Sequence, residues 1–198
     1  TGVRTFRMAL VESDSELAVG DPAPSFSLPA TNGKEHGLSD YTDYQALLVV
    51  FTCNHCPYAK AKEDELNYLS THYSDLAVVA VNPNDATEYP EDSFSRMKER
   101  VANDELRYTA YLRDETQEVA RSYGAVCTPD PFLCRRQEVS RASPFEIVFH
   151  SRIDDATSPN ESPSRYEMRE AVEAVLSDEP IPVEQKPSRG CSIKWVDQ

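Results

Sequence analysis

The sequence predicts an α/β fold in which a central mixed β-sheet is flanked by helices on both faces. Strand-like and helix-like segments alternate three times along the chain, and two strand-like segments and a last helix follow them. Alternating strands and helices are typical of a parallel sheet with helices on its two sides. The later pair of strands adds antiparallel neighbours to this core. With 198 residues, the chain is expected to form one domain with short appendages.

The strands are predicted from short apolar runs. Residues 45–52 and 76–82 are apolar and rich in β-branched side chains, as buried strands are. Residues 108–113 are the third candidate. The stretch GAVCTPDPFLCRR reads as a Pro-rich turn that leads into a fourth strand. Residues 143–151, which contain FEIVF, are expected to pair with that strand as a hairpin.

The helices are predicted from apolar residues three or four positions apart. In the first helix this stripe is formed by Leu66, Leu69 and Tyr73. The four predicted helices cover residues 57–74, 90–103, 116–123 and 164–177. Residues 1–18 are expected to form a flexible arm, 19–178 the folded domain, and 179–198 a Pro-rich tail that carries Cys191 and lacks a packed element. The sequence leaves open whether residues 1–7, which precede the first methionine, are native.

The composition excludes two classes of partner. Acidic residues number 34 against 20 basic ones, which gives a net charge of −14. This charge repels nucleic acid and anionic membranes, so neither is expected as a partner. The basic residues are 6 Lys and 14 Arg, and such an acidic, Lys-poor chain suggests a salt-rich cytoplasm, as in halophilic archaea. An ordinary acidic bacterial protein is the alternative. No apolar run approaches a membrane span and no signal-like segment occurs in the first 20 residues, so a cytoplasmic location is expected.

Two cysteines in FTCNHCPYAK stand three residues apart between the first predicted strand and helix. Proline is favoured at the first helical position, so Pro57 makes Cys56 the predicted N-cap residue. The unpaired N–H groups and the dipole of a helix start stabilise a thiolate, and the thiolate is the nucleophile. Cys56 is therefore the predicted nucleophile. Cys53 is the predicted resolving cysteine, since a short loop lets the two Cα atoms approach within the roughly 4.4–6.8 Å that a disulfide needs.

Other interpretations of these sulfurs stay open. A structural zinc ion needs four ligands, usually from two paired knuckles, and the chain has no second C-x-x-C. Cys127, Cys134 and Cys191 stand alone, so no metal is predicted, although a zinc-binding module remains a lesser alternative. The two cysteines can also be read as inert core thiols. An odd total of five cysteines argues against a fixed disulfide framework.

Several stretches together resemble a known family. They are GDPAPSFSLPATNG, LLVVFTCNHCPYAKAKEDEL, VVAVNPND, DETQEVARSYGAVCTPDPFL and FHSRIDD. Over residues 19–178 the chain resembles the AhpC/TSA, or redoxin, branch of the thioredoxin-like superfamily. The resemblance implies a thioredoxin-like fold and a thiol–disulfide oxidoreductase or a peroxiredoxin-like antioxidant protein. It also implies a disulfide or peroxide substrate, no cofactor, and an external reductant, either thioredoxin or a low-molecular-weight thiol. The oligomeric state is left open.

The resemblance also implies supporting residues. Pro129 aligns with the cis-proline that faces the active cysteine, and Thr128 precedes it. Cys127 is expected within reach of the cysteine loop, and Cys191, on a mobile tail, is the other possible resolving cysteine. Arg152 resembles a basic residue that stabilises the thiolate.

The chain departs from the family pattern at three positions. Ala59 stands where thioredoxins carry their second cysteine. Cys53 replaces the Thr or Ser of peroxiredoxins, and Val49 replaces a proline. These departures leave the reaction open between disulfide exchange and peroxide reduction. A non-catalytic redox sensor or partner-binding module with the same fold is the alternative from another class.

Overall fold

The computed structural model describes residues 9–138 and 141–197, so the question of residues 1–7 lies outside it. Its strands are β1 Leu10–Glu12, β2 Ser27–Pro29, β3 Glu35–Gly37, β4 Ala46–Phe51, β5 Leu76–Asn82, β6 Ala110–Arg113, β7 Cys127–Thr128, β8 Asp130–Arg136, β9 Phe145–His150 and β10 Arg189–Ser192. Its α-helices are α1 Pro57–Lys60, α2 Glu63–His72, α3 Phe94–Ala102, α4 Glu118–Tyr123 and α5 Glu167–Leu176.

The central sheet is mixed, as the sequence predicted. Its strand order is β6-β5-β4-β8-β9. Strands β4, β5 and β6 run parallel, whereas β8 is antiparallel to both β4 and β9. Every residue of β4 and β5 is buried, which explains their continuous apolar sequence. The carboxyl end of β4 delivers the chain directly to Cys53.

Apolar side chains cover both faces of the sheet. One layer contains Val119 and Tyr123 of α4, and the opposite layer contains Leu66 and Leu69 of α2 and Met168 of α5. The fold therefore has helices on both sides of a single buried sheet. Among the described residues, no helix combines the length and the apolar character needed to span a membrane.

The predicted helix over residues 57–74 is divided into α1 and α2. The N–H of Lys62 bonds to the carbonyl of Ala59, three residues back, so the chain tightens there instead of continuing as an α-helix. The Lys62 ammonium pairs with Asp154 at 2.5 Å. The break leaves α1 as a single turn directly after the cysteine loop.

Strands β1, β10 and β7 form a second sheet, in contrast to the flexible arm and unpacked tail that were expected at residues 9–18 and 179–197. Its strand order is β1-β10-β7, and both pairings are antiparallel. The tail prediction was wrong because periodicity is uninformative for a strand of four residues that lies between two others. Beyond β10, Ile193 is buried and Trp195 packs against the core, which fixes the tail on the domain.

Candidate thiol site

Cys56 and Cys191 are joined by a disulfide in the structure. Cys56 is the N-cap residue of α1 with Pro57 at its first position, as the sequence predicted. Its partner lies 135 residues later in β10, and the two Cα atoms are 6.4 Å apart, within the range that disulfides adopt. Both residues are buried. The disulfide therefore links the cysteine loop to the C-terminal strand.

Strand β10 is positioned by the turn at Pro129. The Thr128–Pro129 peptide bond is cis, as predicted. Cys191 lies opposite Thr128 in the register of β10 and β7. A Cβ atom at Gly190 would stand 1.9 Å from the carbonyl oxygen of Thr128, so only glycine permits this approach. The cis-proline turn and Gly190 together bring Cys191 to Cys56.

Cys53 is a separate, buried thiol next to this disulfide. Its Sγ lies 3.4 Å from the backbone nitrogen of Cys56, which donates to it, and 3.4 Å from Oγ1 of Thr128. Burial foremost, and then the charge of Asp92, raise the pKa of the Cys53 thiol to about 12, although the contacts with Thr128 and Cys56 offset part of this effect. Cys53 is consequently protonated at neutral pH.

Asp92 organises the cysteine loop, and the sequence analysis did not single it out. Its carboxylate accepts from the backbone N–H of Asn54 at 2.6 Å and from Nδ2 of Asn84 at 3.0 Å. Its Oδ2 lies 2.5 Å from Nδ1 of His55. Burial would raise the pKa of Asp92, but these hydrogen bonds, that of His55 foremost, outweigh it and lower the pKa. Sγ of Cys53, a ring nitrogen of His55 and a carboxylate oxygen of Asp92 lie within 4.8 Å of one another, which is a possible metal-binding arrangement.

Lys194 brings a positive charge from the tail to the same region. Its Nζ donates to the backbone and side-chain oxygens of Ser192, and its backbone N–H donates to Oδ1 of Asn84. Burial lowers the pKa of Lys194, while the nearby Cys53 and Asp92 raise it. This lysine lies in the tail sequence GCSIKW, residues 190–195, and only the fold shows that it approaches the cysteine loop.

Two predicted supporting residues take no part in the disulfide, and the side-chain contacts described for Arg152 go to Glu167 instead of the expected thiolate. Cys127 is a buried free thiol whose Sγ is 3.7 Å from the carbonyl oxygen of Pro129, and burial raises its pKa. Arg152 donates from Nε and Nη2 to the carboxylate of Glu167, at 2.7 and 2.8 Å. Arg152 and Pro129 line the same cavity of about 260 Å³.

The sheet and the cysteine loop facing a cis-proline define a thioredoxin-like protein. The AhpC/TSA family model matches residues 19–146, so the chain belongs to the AhpC/TSA family. The comparison with curated proteins gave no match.

Solved structures agree with this assignment. An uncharacterized conserved protein from Geobacillus kaustophilus is 38% identical, with a TM-score of 0.87 and coverage of 98% of this chain and 100% of that chain. A hypothetical protein from Sinorhizobium meliloti 1021 is 36% identical, with a TM-score of 0.85 and coverage of 94% and 99%. The thioredoxin domain of a thiol-disulfide oxidoreductase from Bacteroides vulgatus, 18% identical with a TM-score of 0.53, covers 68% of this chain and 89% of that chain and shares the fold.

Proposed function

We propose that the protein is a thiol–disulfide oxidoreductase that cycles between the Cys56–Cys191 disulfide and the two free thiols. The observation that carries the proposal is the disulfide itself, which joins the N-cap cysteine of α1 to a cysteine held opposite Thr128. Membership of the AhpC/TSA family supports thiol-based redox chemistry. Cys56 is assigned as the nucleophile and Cys191 as the resolving cysteine.

The cycle follows from ordinary thiol–disulfide exchange. The Cys56 thiolate attacks one sulfur of a substrate disulfide, forms a mixed disulfide and releases the other substrate sulfur as a thiolate. The Cys191 thiolate then attacks Sγ of Cys56 and releases the second substrate sulfur. The substrate has gained two electrons and the protein holds its internal disulfide. An external dithiol or two thiols return those electrons to the protein.

Cys191 replaces Cys53 as our choice of resolving cysteine. The sequence favoured Cys53 because it is close along the chain, and it kept Cys191 as a distant alternative. In the structure the Cys53 sulfur already accepts the N–H of Cys56, contacts Thr128 and is protonated at neutral pH. Cys191, in contrast, lies where bond formation with Cys56 needs no rearrangement of the loop.

Access to the disulfide requires movement of β10. Cys56 is 0% exposed and Cys191 is 2% exposed, so an external thiol cannot approach either sulfur in line while β10 is in place. The Pro-rich stretch before β10 is largely exposed, and the hydrogen bonds of its Lys186 with Ser151 and Arg152 have to open when it moves. We expect the opening of this strand to limit the rate of reduction by bulky dithiols.

Peroxide reduction is the second candidate, because the chain belongs to the AhpC/TSA family and Cys56 opens a helix before Pro57. In that reaction the Cys56 thiolate attacks a peroxide oxygen and becomes a sulfenic acid, with release of an alcohol or water. Cys191 then condenses with the sulfenic acid and releases water. The presence of Cys53 in place of a substrate-binding hydroxyl makes disulfide exchange the favoured reaction.

The proposal is tested by mapping disulfides after one equivalent of a small disulfide or of peroxide is added to the reduced chain. We expect the wild type and the matched control Cys134→Ser to form the Cys56–Cys191 bond. Cys191→Ser should accumulate Cys56 as a mixed disulfide or, with peroxide, as a sulfenic acid, and should lose turnover. A Cys53–Cys56 bond in the wild type, or undiminished turnover by Cys191→Ser, would overturn the assignment. A disulfide that forms without any turnover would instead support the redox-sensor alternative.

A further inference from the structure

Three potential metal ligands meet next to the disulfide. They are Sγ of Cys53, a ring nitrogen of His55 and a carboxylate oxygen of Asp92, all within 4.8 Å of one another. Cys53 is 1% exposed and Asp92 is 0% exposed. A thiolate, an imidazole and a carboxylate are ligand types that zinc binds in proteins, and the Cys53 thiol releases its proton when it binds the cation. The cysteine loop alone offers too few ligands for a zinc ion. Asp92, in the turn before α3 and far from the loop along the chain, supplies a further one.

The His55 ring is fixed in orientation but is only half satisfied. It stacks on the ring of Tyr89, with centroids 5.0 Å apart and planes inclined by 13°. Nδ1 lies 2.5 Å from Oδ2 of Asp92, whereas Nε2 is buried and has no hydrogen-bond partner among the described residues. Buried polar nitrogens are nearly always paired, so the unpaired Nε2 is open to a partner such as a cation or a water molecule.

Surrounding groups hold the carboxylate in place. The Asn54 backbone N–H, Asn84 Nδ2 and Asn82 Nδ2 donate to Asp92 from three sides. Hydrogen bonds of this kind orient ligating side chains in metal sites. The Asp92 carboxylate is consequently held in one orientation before any cation enters.

Cys56 can complete the set when it is reduced. The sulfurs of Cys53 and Cys56 both lie against Thr128. Sγ of Cys53 is 3.4 Å from its Oγ1, and Sγ of Cys56 is 3.7 Å from its carbonyl oxygen. The two cysteines also belong to one small buried cluster with Ala59 and Cys191. A free Cys56 thiolate would be a fourth ligand, and four ligands are the usual number in a closed zinc site.

We propose that the reduced chain binds one zinc-type divalent cation through Cys53, Cys56, His55 and Asp92, and that forming the Cys56–Cys191 disulfide releases it. The redox control rests on the proposed function. The oxidant is the disulfide or peroxide substrate, which removes two electrons from the sulfurs of Cys56 and Cys191. The Cys56 sulfur is then neutral and no longer binds the cation as a thiolate. The bound cation inhibits the reaction, because a ligated Cys56 sulfur attacks substrate more slowly than a free thiolate does.

The test uses the full chain without a histidine tag, reduced with a phosphine and kept free of oxygen. Co²⁺ is the probe, since a sulfur-to-cobalt charge-transfer band reports thiolate ligation, and Zn²⁺ should displace it. We expect one Co²⁺ per reduced chain and binding weaker by about 100-fold or more in the oxidised chain and in His55→Ala. Asp92→Asn, which keeps the shape of the side chain, should also weaken binding. The matched control Cys134→Ser should bind as the wild type does.

Each outcome decides one of the two proposals. Absence of stoichiometric binding by the reduced wild type, or equal binding by His55→Ala and Asp92→Asn, would overturn the metal site while leaving the disulfide map intact. Equal Co²⁺ affinity in the reduced and oxidised wild type would overturn the redox control. A failed disulfide map with metal binding that still depends on Asp92 would reject the proposed function alone. The oxidised wild type needs no substitution, so the redox comparison stands even if a variant fails to fold.

Discussion

Asp130 is a fully buried carboxyl group directly after the cis-proline turn, at the start of β8. Its Oδ1 lies 2.6 Å from Nε2 of His150, and its Oδ2 has no partner in the described part of the chain. Burial raises the pKa of Asp130 above its ordinary value, and the pairing with His150 and the N–H of Val126 offset only part of this effect. Cys127 is a further titratable group near this carboxyl. Ionisation of Asp130 therefore costs folding free energy.

We predict that Asp130→Asn stabilises the protein relative to wild type increasingly as the pH rises from 4 to 7. The folded chain binds the Asp130 proton more tightly than the unfolded chain does. The contribution of Asp130 to stability is thus present below its unfolded pKa and is lost as the pH rises through its folded pKa. The difference should reach on the order of 1 kcal/mol. Urea unfolding at several pH values measures it, with the exposed Asp43→Asn as control, and parallel pH curves for Asp130→Asn and wild type would refute it.

Gly190 offers a second residue-level test. Because a Cβ atom would meet the Thr128 carbonyl oxygen at 1.9 Å, Gly190→Ala must push β10 away from β7. We expect a loss of about 3 kcal/mol in the free energy of unfolding, the upper range for overpacking. Disulfide formation between Cys56 and Cys191 should slow in parallel. Urea unfolding and timed alkylation of Cys191 report the two effects.

The control for Gly190→Ala is Arg189→Ala, an exposed neighbour on the same strand. It shortens a side chain without forcing a backbone contact and should change stability by less than about 0.5 kcal/mol. If Gly190→Ala were as stable and as quickly oxidised as Arg189→Ala, the close approach of β10 to the cis-proline turn would be incorrect.

At the scale of elements, short apolar and β-branched runs predicted the central strands well. Strands β4 and β5 are buried on both faces, so their apolar composition identified them, and the predicted range of β5 matched its observed bounds. The motif alignment predicted the cis bond before Pro129. Helix α1 ends at Lys60 because the chain makes a tight turn at Lys62, whose ammonium pairs with Asp154. The sequence did not predict this break, since a single tight turn leaves the spacing of the apolar residues unchanged.

The site was only half predictable for a related reason. Cys56 carries a local signal, namely the proline that follows it at a helix start. Asp92 and Lys194 carry none, since their roles come from contacts with Asn54 and Asn84 that the fold creates across many residues. Strand β10 was missed because its four residues gain their partners from distant parts of the chain, namely β1 near the N-terminus and β7 in the middle.

Strand β10 should respond to reduction as a unit. With the disulfide intact, the N–H groups of Ser192 and Ile193 donate to the carbonyl oxygens of Ala9 and Val126. When the disulfide is reduced, β10 keeps these bonds but loses its link to α1. We predict that amide exchange in β10 accelerates at least about tenfold on reduction, whereas exchange in β4 and β5 is unchanged. Hydrogen exchange followed by mass spectrometry measures this, and equal protection of β10 in both states would contradict the opening that access to the disulfide requires.

At the scale of the whole molecule, the disulfide closes a loop of 135 residues. A cross-link over such a loop restricts the unfolded chain and stabilises the folded one by about 4–5 kcal/mol. We therefore predict that reduction lowers the melting temperature by about 10 °C. The double variant Cys56→Ser with Cys191→Ser is the control, because its melting temperature should be insensitive to reductant. An equal melting temperature for the oxidised and reduced wild type would show that the bond is not populated in the folded protein.

The net charge of −14 sets the response of the folded chain to salt. Like charges on a compact surface repel one another, and added ions shorten the range of that repulsion from about 10 Å at 0.1 M to about 3 Å at 1 M. We predict that the melting temperature rises by several degrees between 0.1 M and 2 M KCl. The surface ion pairs, such as Arg165 with Glu170, are screened as well, but exposed pairs contribute little, so repulsion dominates.

A triple variant, Asp14→Asn, Glu16→Gln and Asp43→Asn, neutralises three exposed carboxylates and should show a smaller salt response, which separates charge screening from a general effect of salt on apolar burial. A melting temperature that stays constant or falls in KCl would reject adaptation of this chain to a salt-rich cytoplasm, while the thiol chemistry of Cys56 and Cys191 would be unaffected.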